Sequence, residues 1–189
     1  GNYNGIPSKN ATLLDALRAE KGIEVVYDSI SDFITLQPGI DLQHYAEKYK
    51  DVDLIIYAGG ISALLEGEEG DTGNVEGFYR GDRTTINLPA VQTQVMQMLQ
   101  KSGKPMIFIC MSGSAIAFNW ESQHIPAIIQ AWYGGQAAGT ALADILFGRY
   151  NPSGKLPITF YRSDSDLPAI EDYSMKNRTY RYFNGDVLY

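Results

Sequence analysis

The chain has 189 residues, of which 44% are apolar and 20% charged, and a formal net charge of −7. That length supports one domain with a true core, and the composition excludes a disordered or fibrous chain. The acidity argues against a nucleic-acid partner, because no basic stripe is present to displace counterions from phosphates.

A single cysteine excludes an internal disulfide and any Cys-rich metal centre. Cys110 lies in the apolar run MIFICM, which suits a buried structural thiol. The two histidines, His44 and His124, are too far apart in the chain to share ligand spacing, so a zinc site is not expected. No apolar run approaches membrane-spanning length, and no membrane partner is expected. Gly1 stands where a start methionine would, and both ends read as cut within longer segments.

In chain order, Asn10 is placed to cap a helix through ATLLDALRAEK, with Gly22 marking its end. IEVVYD reads as a short strand. Asp41 opens a helix through LQHYAEKYK. DLIIYAG reads as a buried strand ending at Gly59-Gly60, and a long acidic loop follows. Pro89 starts the amphipathic helix AVQTQVMQMLQKSG, and KPMIFICM forms the next strand. IPAIIQAWY is a further strand, GGQAAGTALADILFG a helix of small residues, and KLPITF a late strand. Beyond Ser163 the tail reads as irregular and rich in tyrosine.

Strands alternating with helices, each strand apolar throughout, predict an α/β fold. The expected architecture is a three-layer α/β/α sandwich with a mostly parallel central sheet. In such sheets ligands bind outside the carboxyl ends of the strands. Three loops leave those ends, at 58–83, 112–120 and 133–136. The first is several times longer than the usual connection, which favours a functional loop.

The glycines of 134–139 do not fit the spacing of a dinucleotide fingerprint and read as close helix–sheet packing. Ser112-Gly113-Ser114 lacks the frame of a nucleophile elbow. The carboxylates of the long loop remain: Glu66, Glu68, Glu69, Asp71, Glu76 and Asp82. A general acid needs its pKa raised by burial or by a neighbouring carboxylate, and clustered glutamates provide the second effect. A solvated surface loop explains the same residues on composition alone.

The segments YAGGISALLEGEE, GDRTTINLPAVQ, KPMIFICMSGSAIAFNW, AIIQAWYGGQAAGTALADILFGRYNPSGKLPITFY and RTYRYFNGDVLY together resemble the C-terminal α/β-sandwich domain of glycoside hydrolase family 3. The opening GNYNGIPS is most similar to its β-xylosidase branch. The resemblance spans nearly the whole chain, so residues 1–189 are expected to be that one domain, a fragment from which an N-terminal barrel is absent. It implies a retaining β-glycosidase acting on β-linked oligosaccharides, with no cofactor and no metal. The barrel would supply the nucleophilic aspartate and this domain the acid/base. A pattern like E-x-E-x-x-D-R in related members makes Glu68 the first candidate for that acid/base, Glu66 the second and Glu69 the third. Here GDTGNVEGFYR separates Glu69 from Asp82-Arg83, a departure from the compact pattern. Asp82 and Arg83 are expected to form an ion pair at the loop's return. The isolated chain is expected to be inactive, and the enzyme to be secreted or periplasmic. The alternatives are a carbohydrate-binding domain using Trp120, Trp132 and Tyr133, or a purely structural domain.

Overall fold

The computed structural model describes residues 5–67 and 75–189. Its centre is a wholly parallel sheet of β1 (Ile55–Gly60), β4 (Met106–Met111) and β5 (Ala127–Gln130), in the order β1-β4-β5. Ile55 pairs with Met106 and Gly60 with Met111, while Ile107 pairs with Ala127 and Cys110 with Gln130. Phe108, Ile109 and Cys110 are fully buried, as expected of a strand covered on both faces. Between β1 and β4 lies a two-stranded hairpin, β2 (Phe78–Tyr79) and β3 (Asp82–Arg83). Its turn residues Arg80 and Gly81 both have positive φ, 52° and 88°, which matches the twist that two-residue hairpins require.

Helices complete the α/β sandwich. Helix α1 (Leu13–Arg18) packs on α5 (Ala138–Leu146), and α2 (Leu42–Lys48) on α3 (Ala90–Gln100). Gly139 permits the first contact: its backbone N–H donates to Ala11 O at 3.0 Å, and a Cβ there would lie 2.2 Å from Thr12 O. Helix α3 buries Gln92, Val95, Met96 and Leu99 on one face. Asp41 caps α2 through the Gln43 N–H, as its sequence position predicts. Among the described residues there are also two short α-helices, α4 (Asn119–His124) and α6 (Thr179–Tyr182), and 3₁₀ turns at Tyr49–Asp51, Gly135–Ala137 and Asp164–Asp166.

Several sequence expectations differ from the structure, and α1 already ends at Arg18 with Ala19 as its C-cap, short of the expected stop at Gly22. Thr12, not Asn10, caps α1 and accepts from Asp15 N; Ala11 N is already engaged by Gln136 O. IEVVYD is not a strand: Ile23, Val26 and Tyr27 stay exposed, and the segment is tied down at Asp28, which pairs with Lys48 at 2.6 Å. KLPITF is also not a strand. Leu156 and Ile158 are exposed and Pro157 has no N–H to give a ladder; only buried Phe160 is held, through backbone bonds to Leu188 and Tyr189.

Candidate functional site

Because β1, β4 and β5 are parallel, their carboxyl ends share one edge, and the three loops leaving them meet there. At the end of β1, Gly60 has φ +113° and lies so close to β4 that a Cβ would sit 2.0 Å from Met111 O. The Gln92 side chain grips that glycine from α3. It accepts from Gly60 N at 2.8 Å and donates to Gly60 O at 2.6 Å and to Phe33 O at 2.8 Å. The chain then turns tightly: Leu65 N and Glu66 N both donate to Ser62 O at 3.0 Å.

This turn aims the Glu66 carboxylate across the sheet edge at the other two loops. Oε2 accepts from Gly113 N at 2.7 Å and from the Tyr133 hydroxyl, and Oε1 accepts from the Ser114 hydroxyl. Gly113 leaves room for this approach: a Cβ there would lie 2.8 Å from Glu66 Oε2 and 3.0 Å from the Tyr133 ring, and the side chains would have to shift. Trp132 has φ +53°, a left-handed conformation uncommon for a bulky side chain, and it directs the following Tyr133 toward Glu66. Burial, reinforced by the adjoining Glu66 carboxylate, pushes the Tyr133 phenol well above its ordinary pKa, so the hydroxyl stays a donor.

The loop's return is anchored at the same place. Arg83 donates through Nη1 to Ser114 Oγ and to Ala115 O, both at 2.8 Å, and through Nη2 to Asn87 O at 3.4 Å. Burial lowers the Arg83 pKa, and the nearby Glu66 and Asp164 charges oppose that shift. The expected Asp82–Arg83 ion pair is therefore replaced: among the described residues Arg83 has no salt bridge, and its fork is filled by a hydroxyl and two carbonyls. Asp164 ties the following segment to the tail by accepting from Thr85 Oγ1 and Ile86 N, each at 2.7 Å. Beneath the site, Ser112 Oγ donates to Ser114 O at 2.8 Å and accepts from Gln130 Nε2 at 2.9 Å. Burial raises the Cys110 thiol to about 12.

Of the sequence candidates, Glu66 is thus a multiple acceptor wired to two other loops, while Glu68, Glu69 and Asp71 lie outside the described residues. Among the described residues no cluster of three His, Cys, Asp or Glu could hold a metal ion. The aromatic candidates for a sugar platform are engaged elsewhere. Trp120 stacks on His124 with centroids 4.6 Å apart, Trp132 packs edge-on to Phe160, and Tyr133 is bonded to Glu66. Sequence reasoning missed Gly113, Ser114 and Tyr133 as partners of Glu66. The one signal present was that all three sit just past strand ends.

Comparison with known proteins matches residues 1–189 to the glycosyl hydrolase family 3 C-terminal domain. The chain is 47% identical over 184 residues to a xylan 1,4-beta-xylosidase of Xylanibacter ruminicola, covering 92% of the chain and 21% of that protein. It is 41% identical over 171 residues to a periplasmic beta-glucosidase of Salmonella typhimurium, covering 85% of the chain and 21% of that protein. Among solved structures, a GH3 exo-beta-xylosidase in complex with a xylobiose aziridine activity-based probe superimposes with a TM-score of 0.82 at 27% identity, covering all of this chain and 24% of that one. The chain therefore spans about a fifth of the length of these relatives. From its motifs, its parallel sheet and a family match along its whole length, this chain belongs to the C-terminal domain family of the family 3 glycosyl hydrolases.

Proposed function

We propose that this chain is the C-terminal sandwich of a retaining, exo-acting β-glycosidase of the β-xylosidase type, hydrolysing β-linked oligosaccharides. In this reading residues 1–189 form one domain, and its acidic loop carries the general acid/base to an active site that a separate N-terminal barrel completes. The observation that carries the proposal is the family match over every residue of the chain. The similarity to a xylan 1,4-beta-xylosidase supports the substrate class. The similarity to a periplasmic beta-glucosidase supports a secreted or periplasmic location.

Glu68 is the proposed proton donor. Glu66 has its carboxylate committed to Gly113, Ser114 and Tyr133, which favours the glutamate two residues further along the loop. In the first step a barrel aspartate attacks the anomeric carbon while Glu68 gives its proton to the leaving oxygen. The C–O bond breaks and a glycosyl ester forms. In the second, Glu68 takes a proton from water as that water's oxygen attacks the anomeric carbon and releases the aspartate. This mechanism sets the two carboxyl groups about 5–5.5 Å apart.

The test is Glu68→Ala in the full-length enzyme, assayed on aryl β-xylosides. Loss of general acid catalysis amounts to about 10²–10⁴-fold on poor leaving groups, with a much smaller loss on activated ones. Azide should restore turnover by attacking the glycosyl-enzyme where no carboxylate remains. Unchanged hydrolysis of poor leaving groups refutes the assignment.

A further inference from the structure

We infer that Glu66 is a positioning residue: a hydrogen-bonding clamp that joins the three loops at the sheet edge and fixes the point from which the acid-bearing loop departs. The inference rests on the reading of Glu68 as the acid, and assigns its neighbour a separate, non-transferring role.

The geometry differs from that of a proton donor. A general acid must turn one oxygen toward the leaving group and release its proton there, so at least one oxygen faces substrate. In Glu66 both oxygens are engaged by protein donors, Oε2 by Gly113 N and the Tyr133 hydroxyl, Oε1 by the Ser114 hydroxyl. All three partners donate, so Glu66 serves there as an acceptor on both of its oxygens. Two of the donors come from the loop after β4 and one from the loop after β5, whereas Glu66 ends the turn after β1. One side chain thus reaches all three loops at once. Arg83 bonds the same Ser114 hydroxyl from the loop's far end. Shortening Glu66 releases the stem that Glu68 continues, and an error of about 1 Å in the placement of a reacting group costs about 10²-fold in rate.

The discriminating pair is Glu66→Ala and Glu66→Gln in the full-length enzyme. Glutamine has the same length. Its oxygen can accept from Gly113 and Tyr133 while its amide donates to Ser114, but it cannot transfer a proton in turnover. The clamp predicts that Glu66→Ala lowers kcat/KM about 10²-fold on good and poor leaving groups alike, that Glu66→Gln recovers about tenfold or more of that loss, and that azide rescues neither. The alkaline limb of the pH–rate profile, set by the acid, should stay in place in both variants. Tyr133→Phe removes a single donor and should show the same pattern in miniature. Two outcomes overturn the clamp: Glu66→Gln as poor as Glu66→Ala on poor leaving groups with azide rescue of the alanine variant, or full activity in Glu66→Ala.

A second measurement does not depend on the glycosidase reading. Hydrogen exchange at the Gly113 amide, which donates to Glu66, should accelerate at least tenfold in Glu66→Ala relative to distant amides of β4. Unaltered exchange there refutes the clamp whatever the enzyme's activity. Faster exchange in a protein whose Glu68 proves dispensable refutes the acid assignment and leaves the clamp standing.

Discussion

Replacing Gly60 with alanine tests whether the end of β1 needs a residue without a Cβ. Two effects combine there. The backbone has φ +113°, a conformation that costs a residue with a side chain about 1–3 kcal/mol. The added methyl would also meet Met111 O at 2.0 Å and Met111 N at 2.7 Å, both backbone atoms of a buried parallel pair that cannot rotate aside. Overpacking of that kind costs a further amount of about 1–3 kcal/mol. Gly22→Ala is the control: Gly22 has φ +83° but no atom within 4 Å of its Cβ position, so only the conformational cost applies. In equilibrium urea unfolding of the two variants, Gly60→Ala should lose about 2–6 kcal/mol and Gly22→Ala about 1–3 kcal/mol. Their difference reads the close approach of β1 to β4. If the two variants differ by less than about 0.5 kcal/mol, the argument from contact fails.

Gln92→Leu keeps the volume but leaves Gly60 N, Gly60 O and Phe33 O without their partner; at about 1–3 kcal/mol per buried unpaired group the loss should exceed about 2 kcal/mol in the same assay. Burial raises the Tyr57 phenol to about 12, against about 10 in the unfolded chain, so its contribution is complete below pH 10 and is lost as pH rises toward 12. Unfolding free energy measured across that window should therefore fall, and Tyr57→Phe should flatten the slope by up to about 1.4 kcal/mol per pH unit. Cys110 is fully buried with its thiol raised to about 12, so alkylation by iodoacetamide at pH 8 should be at least about 10³-fold slower in the native chain than in urea; labelling within minutes would contradict that burial. The 189-residue chain alone should show no turnover of aryl β-xylosides, and robust hydrolysis by it would refute a site shared with a barrel.

Much of this architecture is legible in the chain. DLIIYAG and KPMIFICM are apolar runs long enough to specify buried parallel strands, and glycine or proline bounds them. Asp41 and Pro89 mark helix starts by local chemistry alone, and both helices begin there. IEVVYD and KLPITF have strand-like composition, yet whether such a run joins a ladder depends on a partner that composition does not reveal. Helix α4 went unpredicted because NWESQH sits inside what reads as a connector, and its one fully buried polar residue, Glu121, bonds Thr93 on α3 at 2.5 Å. The hairpin turn was hidden because Arg80 occupies a position where Asn or Asp is the usual signal. At the site, the family resemblance singled out the acidic loop. The partners of Glu66 lie 47 to 67 residues away in sequence, where no spacing rule reaches.

Ser114 has a consequence for how this region can vary. Its hydroxyl is a shared rivet, taking Arg83 on one side and giving to Glu66 on the other, so both ends of the segment between those residues are tied to one atom. By loop-closure entropy alone, doubling the length of a span whose ends stay fixed costs only about 0.6 kcal/mol. Of the segment GDTGNVEGFYR that lies between the two attachments, Phe78 is itself buried in the core and so adds a third hold. Length added between the attachments is therefore inexpensive, and the sheet edge that holds them registers almost none of it.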